Sequence, residues 1–256
     1  MFFNHPEELM ILKIKIVMMT VCFSLMLPST AISVEKDGPV AGTLSFMIGD
    51  VYVSSDGEQW READFDMTII HGEYVKTGED AFCEIVLKDK TIVRMDDNSM
   101  QQFEKATDEA LSHQKSIFFA AGKVWVNARK ILSKGDTFKV RTNKAVCAIR
   151  GTTFSVDEDK EQTRVRVYKG QVATWSSLFD KKNQVPKGPP VFSEPVPVKG
   201  PHPVSMGKWV EVVSALQQIT IDAQGGFDKK DFDPNRASDD PWVAWNMERD
   251  KLVSEK

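Results

Sequence analysis

The chain has 256 residues, with 33 Lys and Arg against 37 Asp and Glu, for a net charge of −4. That balance, with no polycationic stretch, argues against a nucleic-acid partner. An apolar content of 41 % with 15 glycines is that of a folded globular protein, long enough to bury a core without staples, and it excludes disorder as the general state.

Residues 1–33 read as a secretory signal peptide. Lys13 and Lys15 precede an apolar run from Ile16 to Leu27, followed by Pro28 and the small residues Ala31 and Ser33. The run is well short of the roughly 20 residues a membrane-spanning helix needs, so no transmembrane anchor is expected in the mature chain. A periplasmic or secreted location follows as an expectation. Removal of this segment, which contains Cys22, leaves Cys83 and Cys147. In an exported chain an even count invites a disulfide, and two buried thiols acting as small hydrophobes are the alternative.

From Thr43 onward, short alternating runs are broken by Gly, Asp and Asn. Residues 34–69 are expected to form a β-hairpin extension packing on the core: Val51–Val53 and Glu58–Trp60 flank Ser-Ser-Asp-Gly57, and Asp-Gly supplies the positive dihedrals of a tight turn. Ala81–Leu87 and Thr91–Met95 form a second hairpin around Lys88–Lys90, and Asp96–Lys115 reads as a polar, loop-like insertion. Ile117–Phe119, Val124–Val126 and Phe138–Arg141 are the next strands. Gly-x-Val recurs at Gly49, Gly122 and Gly170, and a glycine entering a strand marks a corner or a close backbone approach. This strand density, without a helical crossover, predicts a mainly β fold: an antiparallel sandwich or a β-helix-like stack of short strands with a short C-terminal α-helix.

The densest signal lies in Thr142–Trp175. Ala145, Cys147 and Ile149 alternate, and Thr163, Val165 and Val167 alternate again after the polar turn Asp157–Gln162, a hairpin pattern closed by Gly170. The order Ile149-Arg150-Gly151-Thr152-x-Phe154-x-Val156, a charged turn, then Val165-x-Val167-x-x-Gly170-x-Val172 resembles the FecR domain. Val75-Lys-Thr-Gly78, Ala81–Leu87 and Gly122–Val126 extend the resemblance over residues 70–175. It implies a non-enzymatic periplasmic domain; in the regulators of that name the domain receives a signal from an outer-membrane receptor, and an N-terminal cytoplasmic segment controls a sigma factor. Here the domain is expected to follow the signal peptide directly, without the cytoplasmic anti-sigma segment. Arg150, Gly151, Thr152, Phe154 and Gly170 are the family-motif residues, structural or recognition. For Arg150 a structural role is favoured, its guanidinium pairing with a carboxylate such as Glu84.

Residues 181–203, with seven prolines in Pro186–Pro203, are expected to form an extended linker or edge wrap. Residues 204–256 are expected to add two strands, Lys208–Val213 and Gln218–Ile221, and a terminal helix. Asp239-Asp240-Pro241 supplies a capping acid and a proline at the first helical position, and Trp242 and Trp245 are expected to dock the helix. The pattern Trp242-Val-x-Trp-Asn-x-x-Arg-Asp250 resembles the tail of some exported FecR-domain proteins.

Sites of chemistry are sparse. His5, His71, His113 and His202 are scattered without metal spacing, and Asp228–Asn235 reads as a solvated acidic loop lacking the glycine of a calcium loop. Neither a nucleophile elbow nor a phosphate loop occurs, so no cofactor and no enzymatic activity are expected. Of six tryptophans, Trp125, Trp175, Trp242 and Trp245 are expected to pack in the core, leaving Trp60 the most exposed. The functional expectation is an exported module that binds or scaffolds an envelope protein. A carbohydrate or cell-wall binding module, which would need open tryptophans, is the alternative.

Overall fold

The computed structural model describes residues 38–105, 114–128, 137–149, 151–178, 210–237 and 240–254. The signal-peptide segment, Arg150 and the proline-rich stretch lie outside the described residues.

Alternating apolar residues drive the chain into strands that run, in order, β1 (Val40–Ile48), β2 (Val51–Ser54), β3 (Arg61–Glu62), β4 (Thr68–Ile70), β5 (Tyr74–Thr77), β6 (Phe82–Leu87), β7 (Ile92–Met95), β8 (Met100–Phe103) and β9 (Gln114–Asn127). The second half adds β10 (Thr137–Arg141), β11 (Ala145–Ile149), β12 (Thr153–Glu158), β13 (Gln162–Lys169), β14 (Gln171–Ser176), β15 (Glu211–Ser214), β16 (Gln217–Asp222) and β17 (Phe227–Asp231). A short helix α1 (Pro234–Ala237) and the terminal α2 (Pro241–Ser254) follow.

The pairings sort these strands into two sheets. The front sheet runs β4-β1-β6-β7-β9-β12-β13-β16-β17, all antiparallel. The back sheet runs β3-β2-β5-β8-β9-β10-β11-β14-β15. Strand β9 belongs to both: its first half pairs with β8 and β10, its second half with β7 and β12. The fold is mainly β with a short C-terminal helix, as expected, and the β9–β10 pair is the one parallel pairing among the described strands. Inward side chains of both sheets, among them Leu44, Ile85, Val93, Val156 and Val165 in front and Val53, Val75, Val140, Cys147 and Val172 behind, merge into one core. A period-2 strand can line that core with one face and meet solvent with the other.

The chain winds between the sheets, and glycines with positive φ mark several of the crossings. Gly49 separates β1 from β2, Gly151 separates β11 from β12, and Gly170 separates β13 from β14. Gly122, at φ 93°, bends β9 from back to front, and a Cβ there would come within 2.6 Å of the Ser99 Cα. The recurring Gly-x-Val of the sequence is therefore a set of corners.

Several expectations shift in detail. The second strand of the first hairpin is Arg61–Glu62, immediately after the expected Glu58–Trp60, with Tyr52 opposite Glu62 and Val53 opposite Arg61. Its turn is held by the Asp56 carboxylate, which accepts from the amides of Glu58 and Gln59 at 2.8 Å. The polar insertion contains a strand, β8, and Asp228–Asp231 forms the edge strand β17 rather than a loop. The hairpin of the central motif is β12–β13 alone, while β11 pairs with β10 and β14 in the other sheet. Residues Gly38–Lys256 form one contact unit, in which β1 lies between β4 and β6 and buries Leu44 completely. Among the described residues no helix is long and apolar enough to cross a membrane.

Candidate functional site

The outer face of the front sheet carries the most specific arrangement of side chains. Strand registry places Phe46, Glu84, Arg94, Trp125, Ser155, Arg166, Gln218 and Lys230 side by side across the sheet, from β1 to β17. A parallel row one step along holds Lys123, Asp157, Arg164, Thr220 and Asp228. The two ends of this face have opposite fates.

At one end α2 is laid over the sheet. The Asp240 carboxylate accepts from the amide of Trp242 at 3.0 Å, so the acid before Pro241 caps the helix as its sequence predicts. Trp245 packs edge-on against Phe82 at 5.1 Å and stacks with Trp242 at 5.5 Å, with Phe46 at 6.0 Å. The polar part of the helix then closes on a buried arginine. Arg94 has no exposed surface; its Nε donates to Glu84 Oε2 at 2.7 Å and its Nη1 to Asp250 Oδ1 at 2.7 Å and Asn246 Oδ1 at 3.2 Å. Arg249 forks onto the same glutamate, Nε to Oε2 at 2.7 Å and Nη2 to Oε1 at 3.2 Å, with its guanidinium 4.4 Å from the centre of the Phe46 ring. The indole of Trp125 donates to the other oxygen of Asp250 at 3.0 Å.

Two carboxylates and two guanidinia thus balance in charge, which is the condition for burying ions at all. Burial alone would push Glu84 up, but the hydrogen bonds from Arg249 and Arg94 outweigh it and hold the carboxyl down at about 2. Each polar or aromatic position of the tail pattern, Trp242, Trp245, Asn246, Arg249 and Asp250, makes one of these contacts. Their partners Glu84 and Arg94 carry no sequence signal of their own beyond a charge interrupting an apolar alternation.

The other end of the face is open. Tyr168, 4.5 Å from Trp125 and covered edge-on by Phe232 at 5.3 Å, marks the boundary. Beyond it Gln162, Arg164, Arg166, Gln218, Thr220, Asp228 and Lys230 line a shallow depression of about 530 Å³. Arg164 and Arg166 both reach the same Asp157 oxygen, each at 3.4 Å, a distance that leaves most of their donors for other acceptors. Burial pushes the Asp157 carboxyl up against the pull of Arg166, Lys123 and Arg164. Lys230 has no ion pair among the described residues. Such a shelf offers planar and point-charge donors to carboxylates. Its rim is the edge strand β17, which pairs only with β16 among the described strands.

The central motif builds the corner beneath this face. Gly151 and Gly170 meet there, and a Cβ on Gly170 would fall 2.9 Å from the Gly151 carbonyl oxygen. Thr152, 1 % exposed, donates its hydroxyl to the Gln171 carbonyl at 2.9 Å. Phe154, Val156, Val165, Val167 and Val172 are completely buried. The model of the family described as FecR protein matches residues 73–173.

These residues are a FecR domain. No curated protein matches the chain. Two solved structures of a candidate anti-sigma factor from Parabacteroides distasonis ATCC 8503 are similar to it at 18 % identity, with TM-scores of 0.43 and 0.42. The similarity covers 62 % of this chain and 60 % of each of those.

Both ends of the outer face join the FecR domain to sequence outside it. The clamp sets Glu84, Arg94 and Trp125 of the domain against α2, and the shelf sets Arg164 and Arg166 of the domain beside β16 and β17. A further buried pair, unsignalled in the sequence, ties the sheets within the domain. Lys144, in the β10–β11 turn, donates to Glu158 Oε1 and to the Asp159 carbonyl, both at 2.7 Å, and Thr163 donates to the other Glu158 oxygen.

Of the remaining expected site residues, Cys83 on β6 and Cys147 on β11 are free, fully buried thiols. Burial pushes both up to about 12, so neither is a nucleophile at neutral pH. The pairing expected between Arg150 and Glu84 falls outside the described residues on the arginine side, and the Glu84 oxygens are taken by Ser45, Arg94 and Arg249. No group of three or more His, Cys, Asp or Glu positioned for a metal occurs among the described residues.

Proposed function

We propose that the chain is a non-catalytic, exported FecR-type module with a signal-sensing, regulatory role, and that it holds an envelope protein on the open shelf of its front sheet. The observation that carries this reading is the division of one continuous face. Where α2 covers it, Glu84, Arg94, Arg249 and Asp250 are matched in ion pairs; where α2 stops, Arg166, Gln218 and Lys230 continue the same register, with Arg164 in the next row, and line an open depression. An acidic segment of a partner laid across that shelf, with backbone pairing along β17, would complete it. The leader-like pattern of residues 1–33 supports an envelope location.

A glycan-binding module has less support, because the tryptophans that would form its platform are engaged. Trp125 is 1 % exposed, Trp242 and Trp245 pack on Phe82, and Trp60 lies under Lys76 Nζ at 4.3 Å.

A photo-crosslinking residue in place of Thr220 tests the proposal in envelope extracts. The expected result is a discrete crosslinked protein that disappears when Arg164→Glu and Arg166→Glu are combined with the crosslinker, while far-UV circular dichroism shows the β fold retained. Crosslinks that persist in the charge-reversed chain, or no crosslink at all, would sink the reading.

A further inference from the structure

Strand β17 ends the front sheet, and its outer side has a definite order of donors and acceptors. The amide of Phe232 donates to the Leu216 carbonyl at 2.9 Å, and the amide of Asp222 to the Gly226 carbonyl at 2.9 Å. These two bonds bracket the β16–β17 ladder, in which Thr220 faces Asp228 and Gln218 faces Lys230. Hydrogen-bonded pairs alternate along an antiparallel ladder, so Asp228 and Lys230 turn their backbone groups toward β16. Phe227, Lys229 and Asp231 turn theirs away from the sheet, toward no described strand.

Side chains alternate between the two faces. Asp228 and Lys230 stand on the outer face, in the rows of Arg164 and Arg166, and neither has an ion pair among the described residues. Lys229 points the other way, where Glu211 of β15 holds its ammonium at 2.8 Å. All five residues of the strand are exposed. After Asp231 the chain turns back over the sheet, with the Phe232 ring 5.3 Å from that of Tyr168, so the residue that follows the strand leaves its edge open.

Lysines on an open edge normally repel a neighbouring strand. The order Asp228-Lys229-Lys230 differs, because it is its own complement about Lys229. A two-fold axis through Lys229, perpendicular to the sheet, sets β17 antiparallel to β17 of a second copy. Lys229 then exchanges both backbone bonds with Lys229 of the second copy, and Phe227 exchanges both with Asp231. Asp228 lies opposite Lys230 of the second copy, and Lys230 opposite its Asp228, at the closely spaced positions where side chains meet. Each lysine on the axis brings its own counter-ion, Glu211. An axis at Asp228 or at Lys230 would set like charges face to face, which destabilises a sheet. An axis at Phe227 or Asp231 would run one strand off the end of the other. One register alone satisfies both backbone and charge.

We propose that a second copy of this chain pairs with the first along β17 in that register, forming an isologous dimer with one continuous front sheet. The axis preserves the faces, so the two shelves adjoin on the same side. This inference does not need the shelf's partner; a partner strand laid along β17 takes the place of the second copy.

Sedimentation equilibrium of the purified full chain is the test. The natural chain should show a reversible monomer–dimer equilibrium. Asp228→Lys and Lys230→Asp each set like charges opposite one another at both symmetric positions, and each should weaken the dimer about tenfold or more. A one-to-one mixture of the two variants should restore it, because a strand with lysine at both positions then faces one with aspartate at both. Both substitutions fall on exposed side chains, so circular dichroism should show the fold retained in each variant. A natural chain that stays monomeric at every concentration, single variants that dimerise as the natural chain does, or a mixture no tighter than its components would overturn the proposal. The Arg164→Glu, Arg166→Glu chain should dimerise like the natural one, since neither arginine lies on β17. Its mass reads this inference alone, and its crosslinking reads the shelf alone.

Discussion

Glu84 shows how a single side chain sets the terms for its surroundings. It is 6 % exposed and accepts from Ser45, Arg94 and Arg249, so its charge is what permits Arg94 to be fully buried. Glu84→Gln keeps the shape and removes the charge, leaving Arg94 with Asp250 as its one carboxylate and Arg249 with none. Removing one member of a buried ionic group costs about 3–5 kcal/mol, which at this size corresponds to roughly 6–20 °C in Tm. The pH dependence has a fixed sign. The folded carboxyl sits at about 2 against an ordinary 4.5, so its contribution is complete above 4.5 and is lost as pH falls toward about 2. Urea unfolding across this window should show stability dropping with acid in the natural chain and a shallower slope in Glu84→Gln. Identical slopes would mean that Glu84 is not charged in the fold.

At the scale of elements, the corners are where sequence and structure agree most closely. Gly122 bends β9 at φ 93°, with the Ser99 backbone filling the space a side chain would need. Gly122→Ala meets both a disfavoured dihedral and a clash with backbone that cannot swing away. A loss of about 2 kcal/mol or more is expected, read as a lower denaturation midpoint; an unchanged midpoint would show that the bend does not depend on glycine. The Gly-x-Val echoes revealed these corners because glycine is a local requirement. Strand partners were less legible: the alternation of β11 and β12 predicts two strands, but not that they enter different sheets. Strand β8 hid because Gln101, fully buried, breaks the apolar alternation, and β17 hid because each of its residues is exposed, leaving no alternation to detect. For the site, the tail pattern disclosed the docking helix, whereas Arg94 gave no signal and Glu84 was expected to pair with Arg150, because nothing local shows that the helix covers them.

For the whole molecule, the issue is whether the sheets need the helix or only hold it. The inward core draws on strands and the segments between them, and no residue of α2 belongs to it. Loss of residues 240–256 would strip the outer face of Phe46, Phe82, Trp125 and the Glu84–Arg94 pair. It would leave that pair matched, because glutamate and arginine become accessible to water together. A chain ending at Asp239 is therefore expected to keep its far-UV β signature while melting at lower temperature and binding a hydrophobic dye at the bared aromatic face. A synthetic peptide of residues 240–256 should reverse both changes, since Trp242, Trp245, Arg249 and Asp250 would re-enter contacts that the sheet still presents. Collapse of the β signature would make α2 part of the folding core. An unchanged melting temperature would mean that the clamp contributes nothing to stability, and the division of the front face into a covered and an open half would lose its physical basis.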